Sequence, residues 1–385
     1  MGTVEETSVQ DHDDSFPELI LHDVLNHIFG YLNAHDLSQA AKVCKSWNCA
    51  AEIEKRKRGP QVIVLQALED CVATGFSSVR QIDKDELAED FKLSLRIKPS
   101  IGLFFTDGKY PASADCDSVP YEICVAHQWT QPADCFYVAI ESLGVYLNKN
   151  SIRGERNITV ASFLPTLPEV NYIIVETSAH CIEQYFRRSD SLLTDISDKL
   201  FDTASDHVSL LIFVYHWRDE PTLKNYHDDF LSKILDRITN RYDSGTYSLW
   251  GGAVNDIFTM APDTRPLYHS TSFCAISISG SRVKSWCIVL DFRLSDTEIE
   301  EKLKNFEESV ILKFSSIAFA ILPSNGTNDI DKTKINIFNE IFSSTPLTCV
   351  FNDRSHTIFA TNSFNSDSDP ELKHTHCYAI LILTF

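Results

Sequence analysis

Apolar residues recur at helical spacing near the amino end of the chain. Leu21, Val24, Leu25, Ile28, Phe29 and Leu32 fall within one arc, which predicts an amphipathic helix. Asn33-Ala34-His35 breaks that pattern. Asp36 stands at the N-cap position of a second helix, with Gln39 three residues on as its capping-box partner. Leu37, Ala40, Ala41, Val43 and Cys44 follow, and Ser46 caps a third helix through Trp47, Ala50 and Ala51. The stretch Phe16 to Glu52 thus reads as three short helices. A unit of this size buries too little surface for strong stability alone. Its leftover apolar stripe needs cover from the rest of the chain or from another protein.

The pattern changes at Gly59-Pro60, which marks a domain boundary. Beyond it, strands are predicted at Gln61 to Ala67, Ile101 to Thr106, Cys135 to Ile140, Asn157 to Leu164, Tyr172 to Thr177 and Ser209 to Tyr215. Helices are predicted at Asp83 to Leu93, Val119 to Trp129, Ser191 to Phe201 and Asn225 to Asn240. Ser272 to Ser279 and Val283 to Asp291 alternate with period two around Ser279-Gly280-Ser281-Arg282, a hairpin signature. Helices at Ser295 to Glu308 and Ile330 to Phe342 interleave with strands at Ser316 to Leu322, Leu347 to Phe351, Thr357 to Thr361 and Cys377 to Thr384. Such alternation argues an α+β chain: a three-helix start, then a mixed α/β body with sheets flanked by helices. No short-period repeat is visible, and residues 61–205 and 206–385 read as two halves of the body.

The 385 residues are 43% hydrophobic and 23% charged, an ordinary globular mixture. Residues 1–15 are polar and acidic and read as a disordered tail without a signal peptide. The formal net charge is −20, from 34 basic against 54 acidic residues, which opposes binding to nucleic-acid backbones. The apolar runs are too short to span a bilayer, and the 11 scattered cysteines show no disulfide framework. A reducing compartment, cytoplasm and nucleus, is the expectation. Lys55-Arg56-Lys57-Arg58 reads either as an import signal or as a basic helix end stopped by Gly59-Pro60; the second is favoured.

Catalytic and metal chemistry is thinly represented. There is no Cys-x-x-Cys pair, no phosphate-binding Gly-rich loop with Lys and Ser or Thr, and no Gly-x-Ser-x-Gly elbow. Cys274 and Cys349 sit in strand runs as core residues. His374 and His376 share one face of a strand only as polar edge residues, so no metal and no cofactor is expected.

Ile28 to Leu32, Asp36-Leu37 and Val43-Cys44-Lys45-Ser46-Trp47 together resemble an F-box, over residues 16–58. The Leu-Pro that opens the family's first helix is replaced by Ile20-Leu21. The resemblance implies docking on a Skp-type adaptor, and through it on a cullin and a RING protein. It assigns Val24, Leu25, Ile28, Leu32, Leu37, Val43 and Trp47 as adaptor contacts.

Leu249-Trp250-Gly251-Gly252-Ala253-Val254-Asn255, the run Phe273 to Leu290 and the stretch Ser316 to Phe351 are similar to the FIST domains of F-box and intracellular signal-transduction proteins. That likeness makes Gly251, Gly252 and Asn255 a candidate ligand or substrate loop; the favoured alternative is that Gly251-Gly252 survives only as a tight strand-to-helix turn. Asn352-Asp353-Arg354-Ser355-His356 lacks the glycines and the acid of the family's ligand turn. The expected function is a non-catalytic receptor of a ubiquitin ligase that recruits a target protein for degradation. A small-ligand sensor, a non-degradative scaffold and, last, an enzyme with an unrecognised Ser/His/Asp site are the alternatives.

Overall fold

The computed structural model describes residues 23–66, 95–107, 135–147, 150–151, 158–188, 191–201, 207–216, 221–243, 245–261, 269–313, 315–324, 328–353, 356–362 and 372–385. The tail 1–15, the residues 16–22 and the expected helices at 83–93 and 119–129 lie outside them. Three helices open the described chain: α1 at residues 23–29, α2 (Ala34–Ala40) and α3 (Lys45–Lys57). Leu25 and Phe29, one turn apart on α1, close on Leu37, Ala40, Ala50 and Ala51. The Phe29 and Trp47 rings meet edge to face at 5.4 Å.

Two helix starts differ from the sequence expectation. The cap of α2 is Asn33, whose Oδ1 accepts from the Asp36 amide at 2.8 Å. Asp36 therefore sits in the first turn, where its carboxylate faces the positive helix end and accepts from Asn33 Nδ2 at 2.9 Å. Helix α3 begins at Lys45 after Cys44, with no side-chain cap, so Ser46 is already inside it.

Among the described residues, the body carries three six-stranded sheets. The first runs, in spatial order, β1 (Gln61–Gln66), β6 (Ile158–Pro165), β2 (Pro99–Asp107), β3 (Phe136–Ser142), β10 (Asp256–Met260) and β11 (His269–Ser270). The second runs β17 (Lys373–His374), β16 (Ile358–Ala360), β9 (Tyr247–Val254), β8 (Val208–Tyr215), β12 (Phe273–Ser279) and β7 (Asn171–Thr177). The third runs β13 (Lys284–Asp291), β18 (Cys377–Thr384), β14 (Ser316–Ser324), β15 (Leu347–Asp353), β4 (Gly144–Leu147) and β5 (Asn150–Ser151).

One plan recurs in all three sheets. A parallel pair, β2 with β3, β8 with β9 or β14 with β15, lies at the centre. On one side it is flanked antiparallel by β6, β12 or β18 and then by β1, β7 or β13. The second strand of each pair then runs almost directly into a short strand that joins a different sheet. β3 leads to β4 in the third, β9 to β10 in the first, and β15 to β16 in the second. The sheets are thus locked by cyclic strand exchange. Each sheet draws strands from both 61–205 and 206–385, so these ranges are interleaved rather than separate.

The inner faces share one core. Phe105 of the first sheet meets Phe319 of the third at 5.9 Å, and Trp250 of the second meets Phe319 at 5.6 Å and Phe213 at 5.8 Å. Trp250 Nε1 donates to the Ala379 carbonyl at 3.1 Å, which satisfies its polar end in the interior. The second sheet's outer face is covered by α4 (Ala179–Arg188), α5 (Leu192–Leu200) and α6 (Pro221–Arg241), through Ile182, Leu193, Phe230 and Ile234. The third is covered by α7 (Asp296–Ser309) and α8 (Asn328–Ile341), through Ile299, Leu303, Phe306 and Phe338. Helices α6 and α8 are the crossovers that parallel pairing demands.

The expected hairpin at 272–291 does not form. β12 pairs with β7 and β8 in the second sheet, whereas β13 pairs with β18 in the third. Gly280 takes φ +137° because its backbone presses on another turn: a Cβ there would lie 1.8 Å from the Glu169 carbonyl oxygen.

Candidate functional site

Among the described residues, the large apolar side chains that are exposed are Val24, Ile28, Tyr31, Val43, Ile53, Val64, Leu143 and Ile311. The first five belong to the three opening helices and their turns; the others are scattered singly over the body, as on any protein surface. On α1 the geometry is simple. Leu25 and Phe29 point into the small core, while Val24 and Ile28, also four residues apart, form a second row. Val24 is 49% exposed, Ile28 48% and Tyr31 79%. His27 and Tyr31 meet edge to face at 5.4 Å beside that row. Val43, in the turn before α3, is 62% exposed.

The sequence-assigned adaptor contacts therefore divide. Val24, Ile28 and Val43 lie on the surface. Leu32 and Trp47 are half-buried against the core. Leu25 and Leu37 are buried within it, so they shape the face rather than form it. Tyr31 and Ile53 were not anticipated. The signal for Tyr31 was present, because it follows Ile28 at i+3 and continues the same row.

The basic run after this face is a helix end. Lys55, Arg56 and Lys57 form the last turn of α3, where cations favour the negative dipole end, and Arg58 is buried.

The second candidate is not a loop. Gly251 and Gly252 lie inside β9, which continues through Asn255 into a strand, not a helix. A Cβ on Gly251, at φ +151°, would fall 1.8 Å from the Ile212 carbonyl oxygen, so the residue is glycine because β8 runs against it. Gly252 is closed off by Thr357 and Asn352, whose Nδ2 donates to the Ala253 carbonyl at 2.8 Å. The Asn255 amide donates to the Glu141 carbonyl at 3.1 Å. Residues 354 and 355 of the family's ligand turn lie outside the described residues.

A cleft of about 480 Å³ lies elsewhere, between α5 and α6, lined by Ser197, Asp198, Phe201, Arg237, Asn240 and Arg241. Its Arg237 already donates to the Leu193 carbonyl and to the hydroxyls of Ser197 and Thr194.

Burial pushes the Cys135 thiol up to about 12 and raises Cys274 and Cys287 as well, so none is held as a thiolate. His374 lies in β17 and bonds the Ala360 carbonyl at 3.0 Å. His376 adopts φ +56° in the turn that follows, so the two do not share a strand face. No group of three His, Cys, Asp or Glu is placed to hold an ion among the described residues. No described helix is long and apolar enough to cross a membrane.

Residues 22–55 match the F-box-like family model. Curated protein sequences give no match. Among solved structures, one described as "Cyanuric acid hydrolase: evolutionary innovation by structural concatenation" aligns over 85% of this chain and 99% of its own, at 9% identity and a TM-score of 0.35. The match to residues 22–55 coincides with the three opening helices and their exposed face: the chain carries an F-box-like domain at its amino end, set on an α+β body.

Proposed function

We propose that the chain is the target-recruiting subunit of a Skp/cullin/F-box ubiquitin ligase. The observation that carries this reading is the exposed row Val24, Ile28 and Tyr31, with Val43, inside the segment that matches the F-box-like model. Six inward residues of that segment, Leu25, Phe29, Leu37, Ala40, Ala50 and Ala51, already fill its small core, so the outward row is free to dock on a second protein. Covering the exposed half of Val24 or Ile28 on a Skp-type adaptor contributes roughly 1 kcal/mol each before association costs.

The role is proximity. The adaptor joins the cullin and its RING partner, and the body holds a target protein near the charged conjugating enzyme. There the target's lysine amine attacks the thioester carbonyl, an amide bond forms, the C–S bond breaks and the thiol leaves. Holding the two together raises the effective concentration of that lysine. The resemblance of the body to FIST domains supports its use as the recruiting part, and degradation of the target in cytoplasm and nucleus follows from this reading.

The test is Ile28→Asp in the full chain. Loss of adaptor co-purification with an unchanged unfolding midpoint is expected. Undiminished co-purification would remove the assigned face.

A further inference from the structure

One arginine joins the F-box-like domain to the body. Arg58 is 8% exposed, and its three nitrogens reach three separate segments. Nε donates to Glu54 Oε1 of α3 at 3.0 Å, Nη2 donates to the Phe29 carbonyl at the end of α1 at 2.7 Å, and Nη1 donates to the Arg96 carbonyl of the body. A guanidinium is a rigid planar fork, so three acceptors met at once fix three directions at once. Glu54, itself 8% exposed, balances the buried charge. Burial draws Arg58 below its ordinary value while Glu54 opposes that.

The surroundings repeat the connection. Arg96 donates from its own guanidinium to the Gly30 carbonyl, and its amide donates to Gln61 Oε1 at 2.8 Å. The Ala34 amide donates to the Leu95 carbonyl at 2.8 Å. A helix end leaves its last carbonyls unpaired. At the end of α3 the body supplies partners: Arg282 Nη2 bonds the Arg56 carbonyl and Ser315 Oγ the Lys57 carbonyl, both at 3.2 Å. Gly59 sits so close to Ser315 that a Cβ would fall 2.3 Å from that residue's Cβ.

We infer that Arg58 is a positioning residue, which fixes the angle between the F-box-like domain and the body and so the place where a target lysine is presented. The inference rests on the ligase reading above. A domain on a slack tether would visit many orientations, and most would hold the lysine away from the thioester. Transfer falls steeply with such misplacement even when binding persists.

The experiment compares full-length wild type, Arg58→Met, Arg58→Lys and the double variant Arg282→Ala with Ser315→Ala. Three quantities are read: affinity for the adaptor, the rate and lysine pattern of self-ubiquitination in the reconstituted ligase, and amide exchange at Ala34. For Arg58→Met we expect affinity within about twofold of wild type, since the exposed row is untouched. Transfer should slow roughly tenfold or more, with a different set of modified lysines and faster Ala34 exchange. Arg58→Lys should restore little, because an ammonium cannot span three acceptors. The double variant should move transfer in the same direction by less, and it carries the test if Arg58→Met fails to fold. Wild-type transfer rate and lysine pattern in the folded variants would overturn the inference, and so would unchanged Ala34 exchange. Absence of adaptor binding in wild type would instead sink the ligase reading. The exchange measurement would still judge the joint.

Discussion

In the body, apolar side chains meet one another: Phe105, Phe213, Trp250 and Phe319 come from three sheets and all are buried. In residues 23–57, Leu25, Phe29, Leu37, Ala40, Ala50 and Ala51 are buried together with Leu32, Ala41 and Trp47 half-buried against them, while Val24, Ile28, Tyr31, Val43 and Ile53 face outward. The body is closed by strand exchange, and the inner faces of its sheets are filled by one another's side chains. The amino-terminal helices are too few to cover themselves. The difference teaches where to look for function: in the part whose apolar surface has been left over, not in the part with the larger core.

Substitutions can break that comparison or sharpen it. The largest loss is expected from Gly251→Ala, which places a Cβ 1.8 Å from the Ile212 oxygen in the middle of the second sheet. It should cost more than about 4 kcal/mol and leave little folded protein on expression. Trp250→Ala should cost about 3–5 kcal/mol in chemical denaturation, as it empties the centre shared by three sheets. A much smaller loss in either case would mean that the body is not one closed unit.

Asn33→Ala removes the side-chain cap of α2 and should cost roughly 1 kcal/mol. Thermal unfolding, read together with adaptor binding, would show both declining mildly. Burial of His227 in α6 lowers its pKa to about 4, below its ordinary value. Between those two values the unfolded chain binds the extra proton. This contribution to stability is therefore complete above the ordinary histidine value and is lost as pH falls towards about 4. Unfolding midpoints measured across that window should drop less in His227→Gln than in wild type. The smallest stability change, within about 0.5 kcal/mol, is expected for Ile28→Asp, even though that variant should lose its partner.

Much of this was legible in the chain, and the limits have physical causes. The three opening helices depend on contacts a few residues apart, so periodicity places them, and α6 and α7 emerge likewise from Phe230, Ile234 and Ile238 and from the Ser295 cap. Strand identity was legible where runs such as Leu210 to Tyr215 are apolar throughout, as suits a strand buried on both faces. Helix α4 was missed although its signal was present, since Ile182, Tyr185 and Phe186 recur at helical spacing and pack on the second sheet.

Pairing was not legible. Ser279-Gly280-Ser281-Arg282 has hairpin chemistry, yet it links two sheets, because Gly280 answers to Glu169 far away in the chain. Gly251-Gly252 looked like a turn for the same reason: a glycine demanded by a neighbouring strand and one demanded by a bend read alike. On the F-box-like face, helical spacing found the right helix, but it did not separate Val24 and Ile28, which face outward, from Leu25, which faces inward. Residues one apart on a short helix differ in exposure only through what packs against them.

Amide hydrogen exchange of the intact protein, with and without a saturating Skp-type adaptor, tests the central claim most directly. The account predicts slower exchange over α1 and around Val43, with the three sheets of the body unchanged. Protection confined to the body, or none anywhere at saturation, would contradict it.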